Sequence, residues 1–412
     1  MSERRRLHRG LFATGVLFGI IAEQIVLFAV PLLIFQDTNE VSTLGYAYAI
    51  EWLPALLAYP FAGLLADRDG GARLFSCVTA GRAVVLVGAV VLCLTVPAML
   101  TPALMAAGAL LSLLMAPVRM SIEKMVPQLA QGTQLAKTQG LVQNMEVSAM
   151  AIGPALALVG VAFMHKIWLL LCAAAIFLAA AICWLPLPRG LRSPGKGSVR
   201  ANLAELGLGW MILARSRPLV LLATLNFSIN LVFATVLSAN AALVTGVFKA
   251  PESVFALLNI GVGVMGLVNL LAIPILLKYF DVRMVGIFGL TLVCVCLVII
   301  GFAPSLLLYG PAFVAALVGV TYFNVFNRTQ RIKVIPEEHL GKVMGPFYLT
   351  NLLALPIGGL LVGGIASSVG PQRLVAVLAI TLSGFGAVIL PLTIRAFRHA
   401  IAERERTLLV VE

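Results

Sequence analysis

An all-α integral membrane fold, with twelve transmembrane helices in two pseudo-symmetric six-helix bundles, is the class this sequence predicts. Three observations carry that expectation. Of the 412 residues 61% are hydrophobic and 11% charged, with a mean hydropathy of +1.03, which leaves too little polar surface to cover a soluble globule of this size. Apolar stretches of bilayer length alternate with short polar turns along the whole chain. The 29 Lys and Arg residues are also sharply segregated between the two sides of that alternation.

The first span, 11–35, is longer than the roughly 20 apolar residues that cross a ~30 Å hydrocarbon layer, and it carries Glu23 at its centre. Spans two to six are read at 43–66, 72–96, 99–118, 138–162 and 164–186. Spans seven to twelve follow at 218–246, 252–277, 284–302, 304–326, 342–365 and 371–395. Basic residues collect on the side of the termini, from Arg4, Arg5, Arg6 and Arg9 through Arg68, Arg73, Arg119, Lys124 and Lys137 to Lys278, Arg283, Arg328, Arg331, Lys333 and Lys342. Only Lys166, Lys249 and Arg373 fall on the opposite side, and Arg82 lies inside span three. By the positive-inside rule both termini are cytoplasmic, in an inner membrane. The same asymmetry accounts for the net charge of +12 without a nucleic-acid partner. The basic start runs into a full-length span and not into a short signal-type segment, so span one is expected to be retained.

The chain divides into an N-terminal bundle at 1–186, a cytoplasmic linker at 187–217, a C-terminal bundle at 218–395 and a cytoplasmic tail at 396–412. Within the linker, 201–215 has the pattern of an amphipathic surface helix. The two halves repeat in parallel: Arg119, Lys124 and Pro127 recur in order as Arg328, Lys333 and Pro336, and Gly140 and Gly153 recur as Gly345 and Gly358.

Enzyme chemistry finds no footing, and neither a catalytic residue nor a cofactor is expected. Of the histidines, His8, His165 and His339 lie in loops or at their edges and His399 in the tail, none in metal-ligand spacing with a cysteine or carboxylate. The six cysteines all fall in apolar segments, and Cys294 and Cys296 point in different directions on a helix, so neither a disulfide framework nor a metal site is expected. No Walker-type phosphate loop is present, which excludes direct drive by ATP.

After span two, Gly63-Leu-Leu-Ala-Asp67-Arg68-Asp-Gly70-Gly-Ala-Arg73 resembles the loop 2-3 signature of the major facilitator superfamily, G-x-x-x-D-R-x-G-R-(R/K). Gly63, Asp67, Arg68 and Gly70 match, while Gly71 and Ala72 stand where two basic residues are usual, leaving Arg73 as the downstream charge. The resemblance implies a cytoplasmic latch in which Asp67 accepts a charge-assisted hydrogen bond. In span five, Ile152-Gly153-Pro154 resembles the Gly-Pro motif of superfamily antiporters and leans towards export. With Ala29-Val-Pro31 and Gly81-Arg82-Ala83, the chain is most similar to the drug exporters that include enterobactin-type siderophore exporters.

Glu23 is the leading candidate for proton coupling, because a carboxyl group at that depth is costly unless it works with a partner or a wet cavity. Its bland alternative is a permanently protonated hydrogen-bonding group. Arg82 needs an acidic partner, and Glu23 and Glu146 are both available. Gln24 neighbours Glu23, and Glu51 lies in the outer half of span two, either at the mouth of a cavity or snorkelling to the surface. In span five Gln139, Gln143, Glu146, Met150 and Gly153 form a stripe on one helical face, which either lines a path or packs on another helix. The second half has no charge in the interior of its expected spans, the charged residues lying at or near their ends. It offers Asn226 and Asn230 on one face, Asn324, Asn351 and Tyr322, together with Asn240, Asn259 and Asn269. These suit a substrate cavity or, as the alternative and as the preferred reading for Asn259 and Asn269, interhelical glue worth about 0.6 kcal/mol each.

The resulting expectation is a monomeric secondary transporter, with substrate bound between the halves and alternately exposed to each side, whose partners are a small molecule, protons and the bilayer. Efflux of a siderophore-like chelator or a drug-like amphiphile is the first reading. Import of a solute or metal-chelator complex is the second. A lipid flippase and a sensor that moves nothing are readings of a different kind.

Overall fold

The computed structural model describes residues 3–69, 71–129, 133–188, 199–335 and 337–411. Among them the chain forms thirteen α-helices and no strand. Eleven helical stretches are long and apolar enough to cross a membrane. The helix α2, Val41–Asp69, completes the twelve: its 29 residues span about 43 Å at 1.5 Å per residue. Helix α7, Val199–Arg215, is the thirteenth and belongs to the segment read as a linker.

The chain gathers into two compact units, one of Met1–Lys196 with Ala241–Leu267, the other of Gly197–Asn240 with Val268–Glu412. In the first, α1 (Glu3–Thr38), α2, α3 (Ala72–Thr95), α4 (Leu100–Leu129), α5 (Thr133–Phe163) and α6 (Lys166–Trp184) pack together. Helix α1 lies against α5 and α6, α2 against α4, and α3 against α4 and α6. The beginning of α9 (Glu252–Tyr279) joins this unit. Its core is aromatic at one end: Trp184 stacks on Phe75 at 3.7 Å and tilts against Phe12 at 5.0 Å. Its indole Nε1–H donates to the Phe12 carbonyl at 3.2 Å, giving the buried ring the partner it needs. Gly15 makes room for the ring, since a Cβ there would collide with Trp184.

The second unit holds α7, α8 (Arg217–Ala241), α10 (Val282–Phe302), α11 (Leu306–Val334), α12 (Glu337–Val369) and α13 (Pro371–Val411). Helix α10 packs on α11 and α13, and α7 lies along α12. The α10–α11 contact is close because Gly289 and Gly319 face each other, each lacking a Cβ that would meet the other's carbonyl oxygen. Small residues permit such approach where no hydrophobic effect drives helices together in lipid.

Several helices outrun the apolar stretches that announce them. Helix α4 continues past 118 and carries Arg119, and α11 continues past 326 to Val334. Arg331 thus ends a helical stretch, Leu306–Arg331, that is long and apolar enough to cross a membrane, and it is only 2% exposed. Basic residues expected in the loop after span ten are therefore carried on the helix itself. Hydropathy falls at these positions, but the backbone hydrogen-bond ladder does not need apolar side chains to continue.

Candidate functional site

Within the first unit the polar residues converge on one buried pair. Arg82, in α3, is 3% exposed and donates from Nη2 to Glu23 Oε2 of α1 at 3.0 Å. The face of its guanidinium lies over the Phe177 ring of α6, 4.3 Å from the centroid. Three helices thus hold one cation, by a charge-assisted hydrogen bond and by a cation–π contact. Of the two acidic partners that the sequence offered Arg82, the pair is made with Glu23. Glu146 instead faces Arg119, with 3.5 Å between Oε1 and Nη1, in a more exposed setting. Arg119 lies within electrostatic range of Glu23 as well, so the two pairs share one field.

A cavity opens beside the Glu23–Arg82 pair, lined by Val26 and Leu27 of α1, Glu51 and Trp52 of α2, and Leu111, Ser112 and Met115 of α4. Glu51 reaches it by lying across Gly108, whose missing side chain leaves ordinary contact distance to the Glu51 methylenes. Two carboxyl groups and one guanidinium therefore line a single small space. Buried polar atoms of its lining, Arg82 Nε and Ser112 Oγ, meet no partner among the described residues. Unmatched donors of this kind around a cavity suit water or a polar ligand.

Gln24 points elsewhere. Gly153 of α5 is buried against it: a Cβ at 153 would strike the Gln24 side chain and press on the Ile21 carbonyl at 3.2 Å. Gly153 and Pro154 sit within a continuous α5, where the glycine sets the approach of α1. On the striped face, Gln143 and Met150 are exposed and Glu146 is half-buried. The side chain of Gln139 lies outside the described residues. So do those of Gly63, Asp67, Arg68 and Gly70, which carry the expected latch, while Arg73 is exposed at the start of α3. Gly71, which replaces the usual basic residue, has φ +102° and lies 3.0 Å, at the position of a would-be Cβ, from the Ser121 carbonyl. The backbone there excludes a side chain.

The second unit brings together Asn226, Asn230 and Asn351 as one amide network. Asn226 Nδ2 donates to Asn351 Oδ1 at 2.5 Å, Asn230 Nδ2 to the same oxygen at 3.3 Å, and Asn351 Nδ2 to the Phe347 carbonyl at 2.5 Å. Asn327 extends it, donating to Asn226 Oδ1 at 2.8 Å. Sequence reading had not singled out Asn327, Gln330 or Arg331, although with Asn324 they form an i, i+3, i+6, i+7 polar face on α11. Tyr322 lies on a different face and packs against Phe288 at 5.9 Å. Asn240 is held apart from the network, accepting from the Tyr309 hydroxyl at 2.6 Å.

At the far end of the first unit, Lys166 of α6 pairs with Glu252 of α9, and Gln36 of α1 donates to the same carboxylate. No group of three or more His, Cys, Asp and Glu side chains able to hold a metal ion occurs among the described residues.

A search of curated proteins returns no match. The chain is similar in fold to crystal structures of a bacterial homologue of the iron transporter ferroportin in an inward-facing state (TM-score 0.76, 17% identity, 95% of this chain and all of that one) and of the nucleoside transporter NupG (TM-score 0.72, 13% identity, 95% and 99%). A POT family transporter in complex with 5-aminolevulinic acid is similar too (TM-score 0.72, 13% identity, 94% and 96%). At such identities these likenesses speak to fold. The sequence pattern of the Major Facilitator Superfamily matches residues 12–358; with its paired bundles of membrane-crossing helices, the chain belongs to that superfamily.

Proposed function

We propose that the protein is a proton-coupled exporter of a small organic molecule, with the Glu23–Arg82 pair as its coupling element. The observation that carries this reading is the 3.0 Å ion pair, mid-helix, beside a cavity that also holds Glu51. Uptake of a proton by Glu23 removes the charge that Arg82 is bound to, leaving the guanidinium to its contact with Phe177 and to whatever enters the cavity. Two arrangements of the pair, closed when Glu23 is charged and open when it is protonated, provide the differential that a proton needs to shift an access equilibrium. Glu51 is a second carboxyl within reach of the same cavity, and Arg119 with Glu146 extends the field. The amide network of the second unit supplies hydrogen-bonding groups for the cargo.

Export is favoured by the resemblance of Ile152-Gly153-Pro154 to the antiporter motif. A drug-like amphiphile or a siderophore-like chelator is the cargo class this resemblance suggests. The distribution of basic residues supports an inner-membrane location with cytoplasmic termini, and Asp67 with Arg68 would serve as the cytoplasmic latch.

The test is proton movement in inverted vesicles with an imposed pH gradient, using siderophores and cationic dyes as probes. A probe that dissipates the gradient with the wild type but not with Glu23→Gln supports the reading. Equal dissipation by both proteins removes Glu23 from coupling.

A further inference from the structure

Arg331 is a buried charged side chain that the transport reading does not use. It is 2% exposed, and among the described residues it forms no ion pair. Its guanidinium lies against the rings of Phe347 at 4.1 Å and Tyr348 at 5.6 Å, from centroid to Cζ, and hydrogen-bonds to the Tyr348 side chain. Nε and Nη1 are both buried and meet no acceptor. Arg328, exposed three residues earlier, adds positive charge and no compensation. A buried donor without an acceptor loses its hydration for nothing in return, and a guanidinium cannot shed its proton to escape that cost.

The same face of α11 presents unmet acceptors. Asn327 stands one turn before Arg331 and Gln330 beside it, and Asn327 Oδ1 and Gln330 Oε1 are buried without a partner. Asn327 is fixed through its other amide atom to Asn226 and so to the network of α8 and α12. Donors on Arg331 and acceptors on its neighbours are therefore held on a prepared frame, with Tyr348, 55% exposed, beside the guanidinium.

We propose that Arg331, Asn327 and Gln330 form an oxyanion-binding subsite, which takes a carboxylate or phosphate group carrying an adjacent hydroxyl or amine. The oxyanion accepts from Nε and Nη1 of Arg331, and the neighbouring donor serves Asn327 Oδ1 and Gln330 Oε1. Tyr348 moves aside to admit it. Two sources present this chemistry: a soluble hydroxylated acid, and the headgroup of an anionic lipid such as phosphatidylglycerol. The proposal refines the transport reading by naming an anionic feature of the cargo, and it rests on that reading only in calling a soluble ligand a cargo.

The test is thermal unfolding of the full-length protein in phosphatidylcholine nanodiscs, titrated with glycerol 3-phosphate or gluconate, with glycerol and sodium chloride as controls. A parallel arm replaces part of the phosphatidylcholine with phosphatidylglycerol. Saturable stabilisation by glycerol 3-phosphate or gluconate, absent with the controls, supports a soluble ligand. Stabilisation only in the phosphatidylglycerol discs supports a headgroup. In either case Arg331→Gln weakens the midpoint concentration roughly ten- to a hundredfold, as loss of a charge-assisted hydrogen bond requires, and Arg331→Lys retains part of the response. Asn327→Asp, which places a carboxylate one turn from Arg331, removes the response by occupying the guanidinium. Because each variant is compared with itself, with and without anion, a lower starting stability does not obscure the result. Proton coupling is read in the separate gradient-dissipation assay, so failure of coupling and failure of this site are distinguishable. The proposal is overturned if no anion stabilises the wild type, or if Arg331→Gln responds as the wild type does.

Discussion

Glu23→Ala should damage this protein more than Arg82→Ala, although the two residues share one bond. The asymmetry comes from protonation chemistry. Without Glu23, Arg82 remains charged and 3% exposed, with the Phe177 face as its described contact. Breaking a buried pair in this way costs about 3–5 kcal/mol. Without Arg82, the Glu23 carboxyl, whose side chain is 19% exposed, can take up a proton and become neutral. The expected loss is then nearer that of one hydrogen bond to a charged group, about 1.5–3 kcal/mol. Removing both charges with Glu23→Ala and Arg82→Met should restore at least about 2 kcal/mol relative to Glu23→Ala alone, since no charge is left stranded. The assay is thermal inactivation of purified protein in one detergent, followed by the loss of monodisperse material, because large membrane proteins unfold irreversibly. If Arg82→Ala is the more damaging substitution, or if the double variant shows simple additivity, the pair does not carry the buried charge as described.

Three further outcomes follow from local geometry. Gly153→Leu should lower stability by about 1–3 kcal/mol through overpacking and separate α1 from α5, whereas Gly88→Ala, which meets nothing within 4 Å, should stay within about 0.5 kcal/mol; melting curves of the two compared with wild type check this. Gly71→Ala forces a side chain to φ +102° and should cost about 1–3 kcal/mol, seen as reduced yield and a lower melting temperature, with Gly10→Ala as the open-space control. Lys166→Glu places two carboxylates together where Lys166 now meets Glu252; thermal stability should fall, and the exchanged pair Lys166→Glu with Glu252→Lys should recover it.

What was legible in the sequence followed depth along the helices, and what was not followed direction around them. Glu23 stood out because it sits at the centre of a long apolar stretch, and Asn226 and Asn230 because i, i+4 spacing places both on one face. The partner of Arg82 was undecidable: residue spacing gives height in a helix, but packing decides which neighbour α3 turns towards. Gln24 drew attention as the neighbour of Glu23, yet one residue is 100° of helix, and it packs on Gly153. Arg331 was read as a loop charge because the basic residues around it fit the positive-inside pattern and the hydropathy falls after 326. The polar face of Asn324, Asn327 and Arg331, in helical register, was the signal that the helix continues. Gly71, which departs from the superfamily signature, has its reason in backbone conformation, which sequence shows only as a missing side chain.

The central claim, that Glu23 couples the cargo to protons, is tested most directly by separating exchange from uphill transport. Proteoliposomes containing wild type or Glu23→Gln are loaded with whichever dye or siderophore the wild type moves, and two rates are measured. One is counterflow of labelled against unlabelled probe with no pH gradient; the other is concentrative movement driven by an imposed gradient. The account predicts that Glu23→Gln keeps counterflow within a few-fold of wild type and loses gradient-driven accumulation. Concentrative transport by Glu23→Gln at the wild-type level would contradict it.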